Sequence, residues 1–307
     1  MEKMERITKT RVAVTGIGLM TGLGLDAEST WFGLLAGASP IKRFSLFDPT
    51  GLPCTFGVEL PEGAEALFAE RIKKRQRDQM TRGTMIAVAA ADQAIADSGL
   101  DLGTVSRERL GVVVGATGTG YAPRTAETDQ HRILKNMASA PAAWIGLRHK
   151  AEGPTFVVST ACSSGAYAMH AGFSLIASGA CDVVISGAAD SACNYLDVEG
   201  FSSIMALASD TADIASASRP FDKERNGFVL AEGGDEARGL IHDVDGRAAD
   251  EDLVLRDEAG LAGARGDVHI AAAEDGGVLD GDLVVAVDLD LPLEEDLDED
   301  LVVLPAQ

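Results

Sequence analysis

Cys162 is the residue whose setting points most directly to covalent chemistry. It stands in Thr155-Phe-Val-Val-Ser-Thr-Ala-Cys162-Ser-Ser-Gly-Ala-Tyr-Ala-Met-His170, where a β-rich run gives way to a helix built from small residues. Gly165, Ala166, Ala168, Ala171 and Gly172 permit that helix to pack closely and deeply. The sulfur then lies at the helix N-terminal end, where unpaired backbone N–H groups and the positive end of the helix dipole favour a thiolate nucleophile. The same N–H groups are placed to stabilise the oxyanion formed when such a sulfur attacks a thioester. Taken alone, the residue reads more readily as a small buried hydrophobe, the common fate of a free cysteine.

The other candidates are weaker. Cys54, Cys181 and Cys193 form neither a CxxC pair nor a His/Cys ligand spacing with Cys162, so no metal site and no disulfide framework is expected. Gly16-Ile17-Gly18-Leu19-Met20-Thr21-Gly22 misses the dinucleotide fingerprint, because Thr21 stands where the third glycine belongs. Gly115-Ala116-Thr117-Gly118-Thr119-Gly120 lacks the Lys-Ser/Thr pair of a phosphate loop. Both read as tight strand-to-helix turns. His170 is eight residues past Cys162 on the same helix, roughly 12 Å along the axis and out of reach of the sulfur. His131, His149, His242 and His269 match no catalytic pattern and read as solvated or capping residues.

The elements that must position these residues alternate between strand and helix. Strands are expected at 11–15, 110–115, 155–159 and 182–187, and helices at 28–35, 82–98, 122–137, 163–178 and 197–206. This spacing predicts an α/β domain on a largely parallel, buried sheet. The 82–98 helix carries Ile86, Ala90, Ala94 and Ile95 on one stripe, and Gly99 ends it.

With 307 residues, 46% apolar and 24% charged, the chain can bury a sizeable core. A net charge of −22 argues against a broad grip on nucleic acid or anionic lipid. The N-terminus shows no secretory signal, and Asp182 and Asp190 interrupt the most apolar stretch before it reaches membrane-spanning length. A cytoplasmic setting without membrane contact is expected.

The charge is unevenly spread. Residues 233–307 hold 22 Asp+Glu against 4 Arg and no Lys, and contain no Phe, Tyr, Trp, Met, Cys, Ser, Thr or Asn. Two organisational units follow, 1–232 and an acidic tail 233–307. Apart from Ile241 and Ile270, every residue type of the tail has codons beginning with G or C, as expected of GC-rich DNA read outside its natural frame or strand. A disordered acidic extension is the alternative. The DNA beyond codon 233 separates the two, since an intact second half in another frame would decide for the first.

The segments VSTACSSG (158–165), SLIASGACDVVISGAADSACNYLDVEGFSSIMALAS (174–209) and SASRPFDKERNGFVLAEG (216–233) resemble bacterial β-ketoacyl-(acyl carrier protein) synthases of the elongating type, which serve fatty-acid and type II polyketide synthesis. RVAVTGIGLMTGLG (11–24), QAIADSGLD (93–101) and RLGVVVGATGTG (109–120) resemble the same family in the same order. The resemblance implies the N-terminal half of the thiolase-like layered αβαβα fold, normally dimeric. It implies that Cys162 accepts the acyl group, where non-condensing chain-length-factor relatives carry Gln. Phe201 matches a residue lining the acyl pocket, though an ordinary core aromatic is an equal reading. The Arg219–Phe228 segment resembles a loop bracing the active site, its charges read as structural.

No cofactor is implied. Acyl and malonyl groups arrive as thioesters on the phosphopantetheine of acyl carrier protein, the expected partner alongside a second copy of the chain. The family's second half carries a His-Gly-Thr motif, a Lys and a His-containing GFGG-type loop, and none of these occurs in 233–307. The implied activity is therefore a decarboxylative Claisen condensation that is impaired in this chain, with a non-catalytic, scaffold-like role as the alternative.

Overall fold

Four of the five strands in the main sheet run in the same direction, as expected for strands separated by helical crossovers. The computed structural model describes residues 12–118, 131–209 and 213–240, with the two-residue strands Val268–His269 and Ala286–Val287. The chain divides into two compact units, Met1–Asp243 and Val244–Gln307. In the first unit the strands are β1 (Ala13–Met20), β2 (Lys42–Arg43), β3 (Phe56–Gly57), β4 (Leu110–Gly115), β5 (Thr155–Val158), β6 (Val183–Ser191) and β7 (Glu232–Leu240). The helices are α1 (Ala27–Leu35), α2 (Ala64–Arg71), α3 (Lys74–Arg77), α4 (Arg82–Asp97), α5 (Arg132–Lys135), α6 (Ala140–His149), α7 (Ser164–Ala177) and α8 (Tyr195–Ser203). In the second unit β8 (Val268–His269) pairs antiparallel with β9 (Ala286–Val287). The expected 122–137 helix lies partly outside the described residues, as do His242 and most of the tail.

The main sheet has the order β1-β7-β6-β4-β5, and only β7 runs against its neighbours. β4 is buried throughout, with Val112, Val113 and Val114 fully enclosed. Its continuous apolar run is what a strand covered on both faces requires. β7 begins at Glu232 and carries the sheet across the composition change at Gly233, its register running from Glu232 opposite Ser191 to Leu240 opposite Val183.

Helix α4 is more deeply enclosed than a single stripe suggests. Ile86 to Ala91 are all buried, because the helix packs on the sheet and on α6 and its alanines let both approach. Thr81 caps it, its Oγ1 accepting from the Thr84 N–H at 3.3 Å, and Gly99 follows at φ +60°. The polar residues off the stripe are also engaged. Gln93 Oε1 accepts from Leu19 N–H at 3.2 Å while its Nε2 donates to Leu25 O at 2.7 Å.

The structure corrects the reading of Gly16 and Gly18. They belong to β1 rather than to a turn, and a Cβ on either would meet α4 backbone, at the Ala94 and Ala90 carbonyls respectively. Glycine there serves close packing of helix on strand. The turn comes later, at Thr21–Gly24, where Thr21 and Gly24 exchange both backbone hydrogen bonds.

His149 is likewise neither solvated nor a cap. It ends α6 largely buried, with Nε2 3.2 Å from Asp92 Oδ1. Arg148 grips the same carboxylate through Nε at 2.6 Å and Nη2 at 2.7 Å. Burial would raise the Asp92 carboxyl pKa, but its close contacts with His149 and the Arg148 guanidinium prevail and lower it. The cluster ties α6 to α4.

Among the described residues no helix is long and apolar enough to cross a membrane.

Candidate functional site around Cys162

β5 ends at Val158 and α7 begins at Ser164, so five residues turn the chain from sheet to helix. Ala161 adopts φ +53°, a left-handed conformation costly for a residue with a Cβ. Cys162 follows it and is exposed, whereas Cys54, Cys181 and Cys193 are buried. Burial pushes the Cys181 and Cys193 thiols up, away from the reactive thiolate form.

The helix that carries Cys162 is seated by small residues. Ser164, Ala168, Gly172 and Ile176, spaced four apart, form its buried stripe. Gly165 and Gly172 allow contact with β6, where a Cβ would lie 3.0 Å from Ala188 Cβ and 3.1 Å from Ser186 Cβ respectively. Gly115 at the end of β4 faces the first turn of α7 so closely that a Cβ would meet the Ser164 carbonyl. The loop expected after Gly115 is described only to Gly118, and there Thr117 Oγ1 donates to Asp190 Oδ2 from β6. Sequence reading missed this link, since 73 residues separate its partners.

The turn consumes some of the donors expected at the helix start. The Ser163 N–H donates to Thr160 O and the Ser164 N–H to Ala161 O. Ser163, at the N-cap position, makes no capping bond; its Oγ donates to Thr160 O at 2.7 Å. An oxyanion at this turn therefore depends on fewer free amides than a bare helix end offers.

Phe201 lies near the end of α8 and is 37% exposed. Its ring meets Phe228 edge-on, with centroids 5.4 Å apart and planes at 79°. Phe228 is held there by backbone bonds to Ala206 and Ala208. In the Arg219–Phe228 segment, Asp222 accepts from the Glu224 N–H at 2.7 Å and from Arg219 Nη2 at 3.0 Å, and these partners lower its carboxyl pKa. The charges organise their own loop.

Cys162 has no hydrogen bond or ion pair to a histidine among the described residues. His170 lies on α7 as expected, His131 precedes α5, His149 is held by Asp92, and His269 lies in β8.

Comparison with known proteins places this geometry in a lineage. Residues 9–234 match the family model "Beta-ketoacyl synthase, N-terminal domain". The chain is 33% identical over 247 residues to 3-oxoacyl-[acyl-carrier-protein] synthase 2 of Synechocystis sp., covering 75% of this chain and 57% of that protein. It is 35% identical over 248 residues to the tetracenomycin polyketide synthase ketoacyl synthase alpha subunit of Streptomyces glaucescens, with the same coverage. The chain thus spans little more than half the length of these relatives. Among solved structures, a beta-ketoacyl synthase from Burkholderia phymatum superposes with a TM-score of 0.68 at 25% identity, covering 76% of this chain and 59% of that one. The ishigamide ketosynthase/chain length factor gives 0.66 at 27% identity, with the same coverage. The fold is that of the thiolase-like ketosynthases, and the chain belongs to the beta-ketoacyl synthase family through its N-terminal domain.

Proposed function

We propose that the chain acts as a ketosynthase-type acyltransferase whose Cys162 takes an acyl group from a carrier thioester. The observation that carries this reading is the exposure of Cys162 on a strained strand-to-helix turn inside a domain matching the family. The sulfur attacks the thioester carbonyl, the tetrahedral oxyanion collapses, and the carrier thiol leaves with a proton while the acyl group stays on sulfur. In the complete condensation a malonyl thioester would then lose carbon dioxide, and its carbanion would attack the acyl carbonyl, forming the new C–C bond and releasing the Cys162 thiolate. Phe201 is assigned to line the path of the acyl chain, a role supported by its exposure and its edge-on contact with Phe228. Whether the pathway makes fatty acid or polyketide, both kinds of relative share this step.

Mass spectrometry of the intact protein after incubation with an acyl carrier thioester tests the reading. One acyl group should add to the wild-type chain and none to Cys162→Ala, while Phe201→Ala should alter the preferred chain length. An adduct that survives in Cys162→Ala, or no adduct at all on folded wild-type protein, refutes it. A scaffold-like role is the second reading, favoured by the absence of a histidine partner for Cys162 among the described residues; it predicts carrier binding without acyl transfer.

For partners, the run Lys73-Lys74-Arg75-Gln76-Arg77 concentrates cations in an otherwise acidic chain, and Lys74 and Arg75 line an open cavity with Asp78, which pairs with Lys74 at 3.3 Å, and with Gln79, His131 and Leu134. That surface suits an anionic carrier or the phosphate of its phosphopantetheine arm. Among the described residues β5 is the last strand on its side of the sheet, with its own Phe156 exposed, and a second copy of the chain is proposed to pair there. Light scattering at micromolar concentration should show a dimer, and a clean monomer would refute the pairing.

A further inference from the structure

Ala161 is one of four non-glycine residues with positive φ among the described residues, and it immediately precedes the nucleophile. An L-residue persists in that conformation only where its surroundings hold it. Ser164 does so from within the core. The residue is 3% exposed, and its Oγ accepts from the Thr160 N–H at 2.8 Å while donating to the Ala161 carbonyl at 2.6 Å. These two bonds reach the backbone on both sides of the Ala161 Cα. Ser164 is itself fixed, because its own carbonyl abuts Gly115 of β4 and its helix is pressed on β6 through Gly165. The turn therefore cannot relax by dragging Ser164 along.

We propose that Ser164 is a positioning residue: its hydroxyl clamps Ala161 in the left-handed conformation and thereby presents the Cys162 sulfur to an incoming acyl group. It touches no substrate. This inference rests on the acyltransferase reading for its purpose, but its geometry can be tested without a carrier protein.

The experiment measures the rate at which mild iodoacetamide alkylates Cys162, which in the folded wild-type chain should react ahead of Cys54, Cys181 and Cys193. Ser164→Ala is introduced into the wild-type and the Ala161→Gly backgrounds. Glycine occupies the left-handed region without help, so the clamp should matter only when alanine is present. The expected result is a loss of about tenfold in the alanine background and less than twofold in the glycine background. Equal losses in both backgrounds would overturn the proposal, as would no loss in either. A second readout uses the wild-type protein alone and stands even if Ser164→Ala does not fold. Hydrogen exchange at the Thr160 amide should be slowed by its bond to Ser164 Oγ, and exchange at the rate of an open peptide would overturn the clamp. The two readings fail separately. Wild-type protein that alkylates but accepts no acyl group removes the acyltransferase reading and leaves the clamp; background-independent losses remove the clamp and leave acyl transfer.

Discussion

Malonyl-carrier-dependent release of carbon dioxide by the 307-residue chain should sit near background, even where Cys162 accepts an acyl group. Acylation asks for a nucleophilic sulfur and at least one oxyanion donor, the roles proposed above for the β5–α7 turn. Decarboxylation asks in addition for groups that stabilise charge on the malonyl thioester. Two of the amides at the start of α7 are already occupied by Thr160 and Ala161, and no described histidine is bonded to Cys162. Loss of one oxyanion donor costs roughly 100- to 1000-fold, and loss of a positioned acid or base costs about 100-fold or more. The two factors need not multiply, since groups that act as a unit are not additive. The assay follows carbon dioxide together with a β-ketoacyl product. Robust turnover abolished by Cys162→Ala would show that His242, His269 or another group supplies what is missing, and the reading of residues 233–307 as foreign to the family would fall.

The second large effect concerns stability. Glu232→Ala should lower the unfolding free energy by about 3–5 kcal/mol, the range for removing one partner of a buried ion pair. The Glu232 side chain is fully buried. Its carboxylate receives Arg82 Nε at 2.5 Å and Nη2 at 2.8 Å, Ser191 Oγ at 3.0 Å and the Leu60 N–H at 2.8 Å. One side chain at the first residue of β7 thus joins α4, β6 and the segment after β3. Burial alone would disfavour the Arg82 cation, but Glu232, with Glu65 as a second partner, raises its pKa instead. Alanine would leave the guanidinium and a buried amide short of an acceptor. Against a typical total of about 5–15 kcal/mol, a loss of that size would bring the unit close to unfolding. Urea denaturation should show a sharp drop in midpoint, and a change below about 1 kcal/mol would mean that water or Glu65 replaces the lost acceptor.

What could be read from the sequence was whatever depends on neighbours along the chain. The apolar run of β4, the alanine-rich α4 ended by Gly99, and the strand-to-helix passage through Cys162 all emerge within a residue or two of expectation, because hydrophobic period and capping residues are local signals. Cys162 stands out the same way as a candidate, a cysteine between a β-rich run and a small-residue helix, although only the resemblance of the surrounding segments lifts it above a buried hydrophobe. Gly16 and Gly18 were misread for the same reason: glycine after a strand usually marks a turn, and only the approach of α4, more than 70 residues later, shows them to be strand residues cleared for helix packing. β7 has no local signature of an inner strand, since Glu232–Leu240 is polar and glycine-containing; it becomes one by hydrogen bonding to β1 and β6 together. Ser164 carries no signal of its own in the sequence. Its role emerged only with the left-handed Ala161 and the close seat of α7 on Gly115, because a clamp is defined by the distance between groups the chain brings together and not by their order along it.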